Sequence, residues 1–240
     1  TVVLSNHDQP RHASRLATSI GARSDVERDA LACAAAVLQL TVRGTPFLYY
    51  GEELGLGDVE IPPEESIDRP ATRVSPDFRW WDRSAARTPM PWDDGPGAGF
   101  TSGRPWLRLG PEVGRRNVAA EIADPDSVLA CYRRILAVRR ALPSLEDGSM
   151  TLLRMREPNV VAYRRVGSGR EVVVVIAFGR DGAVVRLPQP LSRRAWRRID
   201  GSVMEAASPQ GDGRTLRLRA WEAVILVAEG GSMRRPAAGS

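Results

Sequence analysis

Lysine is absent from this sequence of 240 residues, so all 34 of its basic side chains are arginines. The arginines are scattered among 29 acidic residues, and the formal net charge is +5. A phosphate-binding face clusters its charge, so this distribution argues against a nucleic-acid partner. One dense group is the exception, and it either binds an anion or lies on a solvated strand edge: Arg193, Arg194, Arg197 and Arg198.

Cysteine and histidine are also scarce, with two of each. Cys33 and Cys131 lack the spacing of metal ligands and fall in helical patterns, so we expect buried free thiols. Two histidines are too few for a histidine-rich metal site, and we expect no metal ion and no other cofactor. No apolar run approaches the roughly 18 residues that a membrane span requires. We therefore expect no membrane partner and a cytoplasmic location.

The composition that remains is typical of a soluble globular protein, with 42% hydrophobic and 26% charged residues, and the length allows one or two domains. A short buried strand is predicted at residues 2–4. A helix is predicted at 24–43, where Ser24 and Glu27 form a capping box. A second short buried strand is predicted at 47–50. This strand–helix–strand order is typical of a parallel α/β barrel.

The next segment, residues 52–110, is rich in proline, glycine and tryptophan and has no clear periodicity. A loop of this length inside a domain is unusual and often functional. Asp124 and Pro125 are then expected to begin a helix as its N-cap and first residue, and Pro143 to end it.

From about residue 146 the apolar period changes from helical to strand-like. Regular turn signals separate short strands, which predicts an antiparallel β-sandwich. The predicted strands are 150–155, 159–166, 171–177, 183–187, 195–199, 214–219 and 222–228. The small, polar residues 229–240 are expected to be disordered.

The most informative stretch for function is Leu-Ser-Asn-His-Asp-Gln-Pro-Arg at residues 4–11. A histidine and a carboxylate directly follow the first predicted strand, and Pro10 prevents further ladder pairing. Barrel enzymes carry their chemistry on polar side chains at the carboxyl ends of buried parallel strands. From these residues alone, the alternative is that Asn6 or Asp8 caps a following helix.

This stretch resembles the last conserved segment of the α-amylase superfamily, glycoside hydrolase family thirteen. With Gln-Pro-Arg behind Asn-His-Asp, it is similar to the α-glucosidase and oligo-1,6-glucosidase branch. Three further stretches resemble the family in the same order: Gly-Thr-Pro-Phe-Leu-Tyr-Tyr-Gly-Glu-Glu-Leu-Gly at 44–55, Arg-Thr-Pro-Met-Pro-Trp at 87–92 and Gly-Ala-Gly-Phe at 97–100. The specific resemblance covers residues 1–145.

The resemblance implies an α/β plus all-β fold: the C-terminal part of a catalytic (β/α)8 TIM barrel at 1–145, a β-sandwich at 146–228 and a tail at 229–240. The family's retaining chemistry uses a nucleophile and an acid/base whose carboxyl groups are about 5–5.5 Å apart. By resemblance both lie upstream of Thr1, and no acidic residue here matches either. We therefore expect a C-terminal portion of an enzyme that is inactive alone and whose partner is the missing N-terminal part of the barrel.

The resemblance also assigns roles to individual residues. Asp8 is the catalytic residue of this chain, the third carboxylate, which holds sugar hydroxyls and stabilises positive charge at the anomeric carbon. His7 matches a histidine that donates a hydrogen bond to the same ring, and Arg87 an arginine that reaches the non-reducing end of the sugar. Gln9 and Arg11 are expected to line the leaving-group side, with a structural role in the loop as the alternative.

The chain departs from the family just before Arg87. The family commonly has Arg-Asp-Gly-Cys there, whereas residues 83–86 are Arg-Ser-Ala-Ala. Loss of the aspartate puts the local support of Arg87 in question. Four tryptophans of the same segment either stack on sugar faces or pack the loop: Trp80, Trp81, Trp92 and Trp106.

The implied function is that of a retaining α-glucosidase, a glycoside hydrolase whose substrates are short oligosaccharide or disaccharide α-glucosides. One alternative within the family is a transglycosidase or isomerase of the sucrose or trehalose type. Another, from a different class, is a catalytically inactive relative that acts as a binding subunit. The intact His7–Asp8 pair argues against the inactive relative.

Overall fold

The computed structural model of the protein describes residues 1–67, 83–203 and 215–229. Trp80 and Trp81 lie outside the described residues, as does the predicted disordered tail beyond Glu229. The chain divides into two compact units: Thr1–Ala32 with Pro46–Ala130, and Cys33–Thr45 with Cys131–Ser240. No helix in the described ranges is both long enough and apolar enough to cross a membrane.

A two-stranded parallel sheet begins the first unit. Strand β1 (Val2–Val3) pairs with β2 (Pro46–Phe47), with Val3 opposite Phe47. The prediction of longer, buried strands at 2–4 and 47–50 is wrong, because Val3 is 46% and Phe47 58% exposed. The apolar runs predicted burial, but in the described part of the chain no third strand pairs with this sheet.

Helix α1 (His12–Ile20) follows β1 and is not predicted from the sequence. It ends at Gly21, whose φ of 68° is a left-handed conformation that glycine adopts without steric cost. The backbone N–H of Ala22 then donates to the carbonyl of Ala17 at 2.8 Å, which satisfies a carbonyl that the helix end leaves free. The helix starts immediately after the Leu-Ser-Asn-His-Asp-Gln-Pro-Arg stretch.

Helix α2 (Asp25–Thr41) begins where the capping box predicts. The hydroxyl of Ser24 accepts the N–H of Glu27 at 3.2 Å, which confirms Ser24 as the cap. The Glu27 carboxylate accepts the N–H of Arg23 rather than that of Ser24. Cys33 in this helix and Cys131 are buried and form no disulfide bond, as predicted.

Irregular structure dominates the described residues of the segment 52–110, namely 52–67 and 83–110, as predicted. In the described parts of this segment, regular structure is limited to three short 3₁₀ turns: Glu52–Leu54, Arg83–Ala86 and Pro96–Gly99. The helices beyond it are α3 (Val118–Ala123), α4 (Val128–Ala141) and α5 (Pro143–Glu146).

The prediction that Asp124 and Pro125 begin a helix is wrong. The Asp124 carboxylate accepts the N–H of Asp126 at 2.9 Å, within the turn that separates α3 from α4. Ser127 is the cap of α4, since its hydroxyl accepts the N–H of Ala130 at 3.1 Å. Short polar side chains form such local turns as readily as caps, and here the turn is formed.

The second unit contains two antiparallel sheets in its described part. A five-stranded sheet has the order β3-β4-β5-β9-β7, and β6 pairs with β8. All seven strands lie close to their predicted positions: β3 (Ser149–Leu153), β4 (Val160–Val166), β5 (Val172–Ala177), β6 (Ala183–Arg186), β7 (Trp196–Gly201), β8 (Thr215–Leu218) and β9 (Ala223–Ala228).

One hydrophobic core contains side chains from both of these sheets. Val175 and Leu226 contribute to it from the five-stranded sheet, and Val185 and Leu216 from the two-stranded one. Every residue of β5 is buried. The side chains of this unbroken apolar run are therefore buried on both faces of the strand.

Candidate active site

The loop after β1 presents Asp8 to solvent. The side-chain oxygen of Asn6 accepts the N–H of Asp8 at 2.8 Å, which forms a tight turn and fixes the direction of the loop. The Asp8 side chain is 50% exposed, and its Oδ2 lies 3.3 Å from Nε2 of His7. Gln9, the next residue, is also exposed. The strand end therefore places a carboxylate where a ligand can reach it.

Two arginines bind the Asp8 carboxylate. Arg83 donates from Nη1 to Oδ1 at 2.7 Å, and Arg87 donates from Nη2 to the same oxygen at 3.1 Å. Arg87 also donates from Nε to the backbone carbonyl of His7 at 2.7 Å. Three of the residues singled out from the sequence, His7, Asp8 and Arg87, are thus brought together.

These contacts set the protonation state of Asp8. The hydrogen bond from Arg83 is the main reason why the pKa of Asp8 lies below its ordinary value, and the charges of His7 and Arg87 lower it further. An opposite charge in contact favours the ionised carboxyl. Asp8 therefore carries a full negative charge near neutral pH.

The loop that carries Arg87 is attached to the chain just after β2. The hydroxyl of Tyr49 donates to the carbonyl of Ala86 at 3.2 Å, and that of Tyr50 donates to the carbonyl of Thr88 at 2.7 Å. Burial raises the pKa of Tyr50 to about 12, so its hydroxyl keeps the proton that it donates. The residues before and after Arg87 are therefore both held in place.

Arg11 lies beneath the two tyrosines. Its side chain is 1% exposed, and the guanidinium carbon is 5.0 Å and 4.8 Å from the ring centres of Tyr49 and Tyr50. Its Nη1 donates to the Tyr50 carbonyl at 2.6 Å, and its backbone N–H donates to Asp58 at 2.9 Å. These contacts are those of a positioning residue, and a place on the leaving-group side remains a prediction for both Arg11 and Gln9.

A buried polar cluster lies at the start of α1. His12 Nδ1 is 3.0 Å from the hydroxyl of Ser5 and 3.5 Å from Oε1 of Glu52, and all three residues are at most 2% exposed. Ser5 also accepts the backbone N–H of His12 at 2.8 Å. The cluster ties the end of β1 to the first turn of α1, which fixes both ends of the loop that carries Asp8.

Of the four tryptophans singled out from the sequence, the two within the described residues are exposed on loops. Trp92 is 51% and Trp106 62% exposed, and the Trp106 ring lies 6.2 Å from that of Phe100, centre to centre. Exposed indole faces suit sugar stacking, which stays a prediction for both. Within the described ranges no group of three or more His, Cys, Asp or Glu side chains is arranged to hold a metal ion.

Arg83 is the residue of this site that the sequence analysis misses. It is the first residue of the Arg-Ser-Ala-Ala segment, which differs from the sequence that the family commonly has there. That difference raised the question of what supports Arg87. In the structure Arg83 binds Asp8 directly, and Arg87 is supported by the His7 carbonyl. The available signal was a second arginine four residues before Arg87, on a turn that brings both side chains to one side.

Taken together, the site combines a fixed anion with donors arranged around it. An ionised carboxylate accepts hydrogen bonds from hydroxyl groups and attracts a positive charge that develops beside it. The guanidinium groups of Arg83 and Arg87 both direct N–H donors at Oδ1 of Asp8. This arrangement fits a polyhydroxylated ligand that becomes cationic during reaction.

Comparison with known proteins shows a family likeness. The family model described as "Alpha amylase, catalytic domain" matches residues 1–148. An oligo-1,6-glucosidase of Parageobacillus thermoglucosidasius is 30% identical over 243 residues, covering 94% of this chain and 42% of that protein. A probable α-glucosidase of Rhizobium meliloti is 36% identical over 184 residues, covering 77% of this chain and 32% of that protein.

A solved structure shows the same likeness in three dimensions. The isomaltulose synthase of Klebsiella sp. LX3 superimposes with a TM-score of 0.80 at 29% identity, over 95% of this chain and 42% of that enzyme. This chain thus spans well under half the length of the relatives that it matches.

Proposed function

Because this chain belongs to the α-amylase family, we propose that it supplies the charge-stabilising side of the active site of a retaining α-glucosidase. The observation that carries the proposal is the Asp8 carboxylate, held ionised and exposed by Arg83 and Arg87 beside His7. The substrates would be short α-glucosides, in line with the names of the relatives.

Asp8 would act through its charge rather than through proton transfer. When the glycosidic bond breaks, positive charge develops at the anomeric carbon and the ring oxygen, and a fixed anion beside it favours this state over the neutral substrate. The lowered pKa of Asp8 favours the charged form of its carboxyl group. His7 and Arg87 would hold the sugar ring in a fixed position and orientation beside Asp8.

The nucleophile and the acid/base would come from outside these 240 residues. Glu52, Glu53 and Asp58 are the carboxylates near β2, but Glu52 is 1% exposed and burial raises the pKa of the other two. They serve the packing of the loop, and we assign them no step. We therefore propose that the family's two reacting carboxyl groups are supplied by another part of the enzyme.

The fold proposed with this function places the first unit in the last part of a (β/α)8 barrel and the second in a β-sandwich. Parallel pairing of β1 with β2, with α2 between them in sequence, supports the barrel. Two antiparallel sheets that share one core support the sandwich.

A second candidate is a transglycosidase or isomerase, and the likeness to the isomaltulose synthase favours it. Asp8 would stabilise the same cationic state in both reactions, so the two candidates differ in the acceptor that attacks afterwards. Product analysis with sucrose separates them: a hydrolase releases glucose and fructose, whereas an isomerase releases an isomeric disaccharide. An inactive binding subunit would yield neither.

The first experiment is Asp8→Asn in the enzyme that contains this chain. We expect kcat to fall by at least about 10²-fold with 4-nitrophenyl α-glucoside, because the charge directed at the transition state is removed. Asp126→Asn, an exposed aspartate on the turn before α4, is the matched control and should leave kcat unchanged. A loss confined to KM would contradict the role and indicate ground-state binding only.

The second experiment tests where the reacting carboxylates come from. The 240-residue chain alone should release no 4-nitrophenol from the same substrate above the Asp8→Asn background. Turnover by the purified chain that disappears in Asp8→Asn would refute this part of the proposal.

A further inference from the structure

The second unit contains a cavity of about 800 Å³ that the proposed function does not use. Its wall is formed by the turn after β3, the end of β6 and the 3₁₀ turn Leu191–Arg193. The lining residues that the structure describes, all from this unit, are Arg154, Arg156, Glu157, Arg186, Leu187, Pro188, Gln189, Ser192 and Arg193. The volume lies in the range of small-molecule sites.

The charge of this cavity is strongly one-sided. Four of its nine lining side chains are arginines and one is acidic. No acidic side chain in the described ranges lies within 4.0 Å of Arg154, Arg156 or Arg193. Positive side chains around one concavity concentrate the field inside it and attract anions.

Other arginines of the same unit show the contrast. Arg198 pairs with the buried Glu222 at 2.8 Å, and Arg164 and Arg194 both bind Glu171. Of the dense arginine group noted in the sequence, Arg193 is the member that lines the cavity, and Arg194 and Arg198 are engaged in these pairs. Arg154, Arg156 and Arg193 therefore bring to the cavity positive charge that no acid of the described ranges offsets within 4.0 Å.

The chemistry of the wall selects among ligands. None of the nine described lining residues is aromatic, so the described part of the wall offers no stacking platform for a neutral sugar or for the bases of a nucleic acid. Guanidinium groups bind oxyanions through paired, charge-assisted hydrogen bonds. Glu157 contributes one buried carboxylate oxygen that has no hydrogen-bond partner among the described residues. That oxygen can accept a hydrogen bond from a hydroxyl group.

We propose that this cavity binds a small molecule with at least two phosphate groups on a hydroxyl-bearing scaffold. The arginines would hold the phosphate oxygens and Glu157 a hydroxyl group. The described lining residues of the site belong to the second unit, and the site does not depend on the glucosidase proposal. Its ligand is a small anion because the arginines line a cavity of about 800 Å³, a volume in the range of small-molecule sites.

The test is calorimetric titration of the full chain with inorganic pyrophosphate and with fructose 1,6-bisphosphate. Both should bind, and the affinity should fall with added salt, because the interaction is mainly ionic. Arg156→Gln and Arg193→Gln should each raise Kd about tenfold to a hundredfold, the typical effect of losing a hydrogen bond to a charged group. Maltose, which carries no charge, should not bind at this site.

Two control variants make the result specific. Arg217→Gln removes an exposed arginine of β8 that does not line the cavity, and it should leave both Kd values within about twofold. Glu157→Gln should strengthen pyrophosphate binding by removing a like charge, and should weaken the preference for the sugar bisphosphate. Thermal unfolding of each variant checks that the fold is intact.

Three outcomes would overturn the proposal. The first is no heat of binding with either probe at millimolar concentration. The second is an equal loss in Arg217→Gln, which would mean diffuse attraction to a positive surface. The third is tighter binding of a single-stranded oligonucleotide than of pyrophosphate, with the loss shared by all three arginine variants, which would indicate a polyanion surface instead.

Discussion

Glu121 on α3 predicts a measurable dependence of stability on pH. The residue is 7% exposed, and its Oε2 accepts the N–H of Leu129 at 3.0 Å. Burial raises the pKa of Glu121 from an ordinary value of 4.5 to about 7, against the opposing effects of this N–H and of Arg116. We expect Glu121→Gln to keep the backbone hydrogen bond and to remove the titration.

The direction in which stability changes with pH follows from the number of protons bound by the folded and unfolded states. Between pH 4.5 and about 7 the folded protein retains a proton on Glu121 that the unfolded chain has already released. The free energy of unfolding therefore decreases as the pH rises through this window and levels off above it. Each tenfold change in proton affinity corresponds to about 1.4 kcal/mol, so the upper limit of this decrease in the free energy of unfolding is roughly 3 kcal/mol. Solvent screening reduces it, and we expect roughly 1–2 kcal/mol.

The assay is urea unfolding followed by circular dichroism at several pH values from 4.5 to 8.5. Glu121→Gln should match the wild type near pH 4.5 and exceed its stability by the stated amount near pH 8. Glu146→Gln, which changes an exposed glutamate of α5, is the control and should follow the wild-type curve. A constant difference between Glu121→Gln and wild type across the whole range would refute the reasoning.

Two further predictions concern the second unit. Val174→Asp should lower the free energy of unfolding by at least about 3 kcal/mol, because Val174 is fully buried. The control Val184→Asp, at a position 52% exposed, should lower it by no more than about 0.5 kcal/mol in the same urea titration. Similar losses in the two variants would contradict the assigned burial. The hydroxyl of Thr41 contacts both the Tyr163 hydroxyl and the Val37 carbonyl at 2.5 Å. Tyr163→Phe should therefore lower the free energy of unfolding by about 1 kcal/mol, and Thr41→Val should lower it further, because Thr41→Val leaves the buried Tyr163 hydroxyl without an acceptor. The reverse order of the two losses would contradict this network.

The strands of the second unit could be predicted because their signals are local. Each lies between glycine or polar turn residues, and β5 carries an unbroken run of apolar side chains. The capping residue Ser24 is equally local, since its partner Glu27 is three residues away. Signals of this kind act within one element, and the sequence displays them directly.

Helix α1 could not be predicted because its start depends on distant residues. Arg11 at its N-cap makes no side-chain capping hydrogen bond. The backbone N–H of Arg11 is instead bound by Asp58, 47 positions along the chain, and that of His12 by Ser5. The contact between Arg83 and Asp8 spans 75 positions. The motif identified Asp8, but only the folded chain shows which arginines surround it.

Asp8 and Glu121 show how far environment, rather than residue type, determines what a carboxyl group can do. Asp8 is half exposed and bound by two guanidinium groups, which lower its pKa and keep it charged. Glu121 is buried with one backbone N–H as the hydrogen bond to its carboxylate, and its pKa rises to about 7. A charge intended to stabilise a cation must be ionised before substrate arrives, so it cannot be buried in the manner of Glu121. The exposure of Asp8 is therefore a requirement of the proposed chemistry, and the paired arginines meet the accompanying need to hold that exposed side chain in one position.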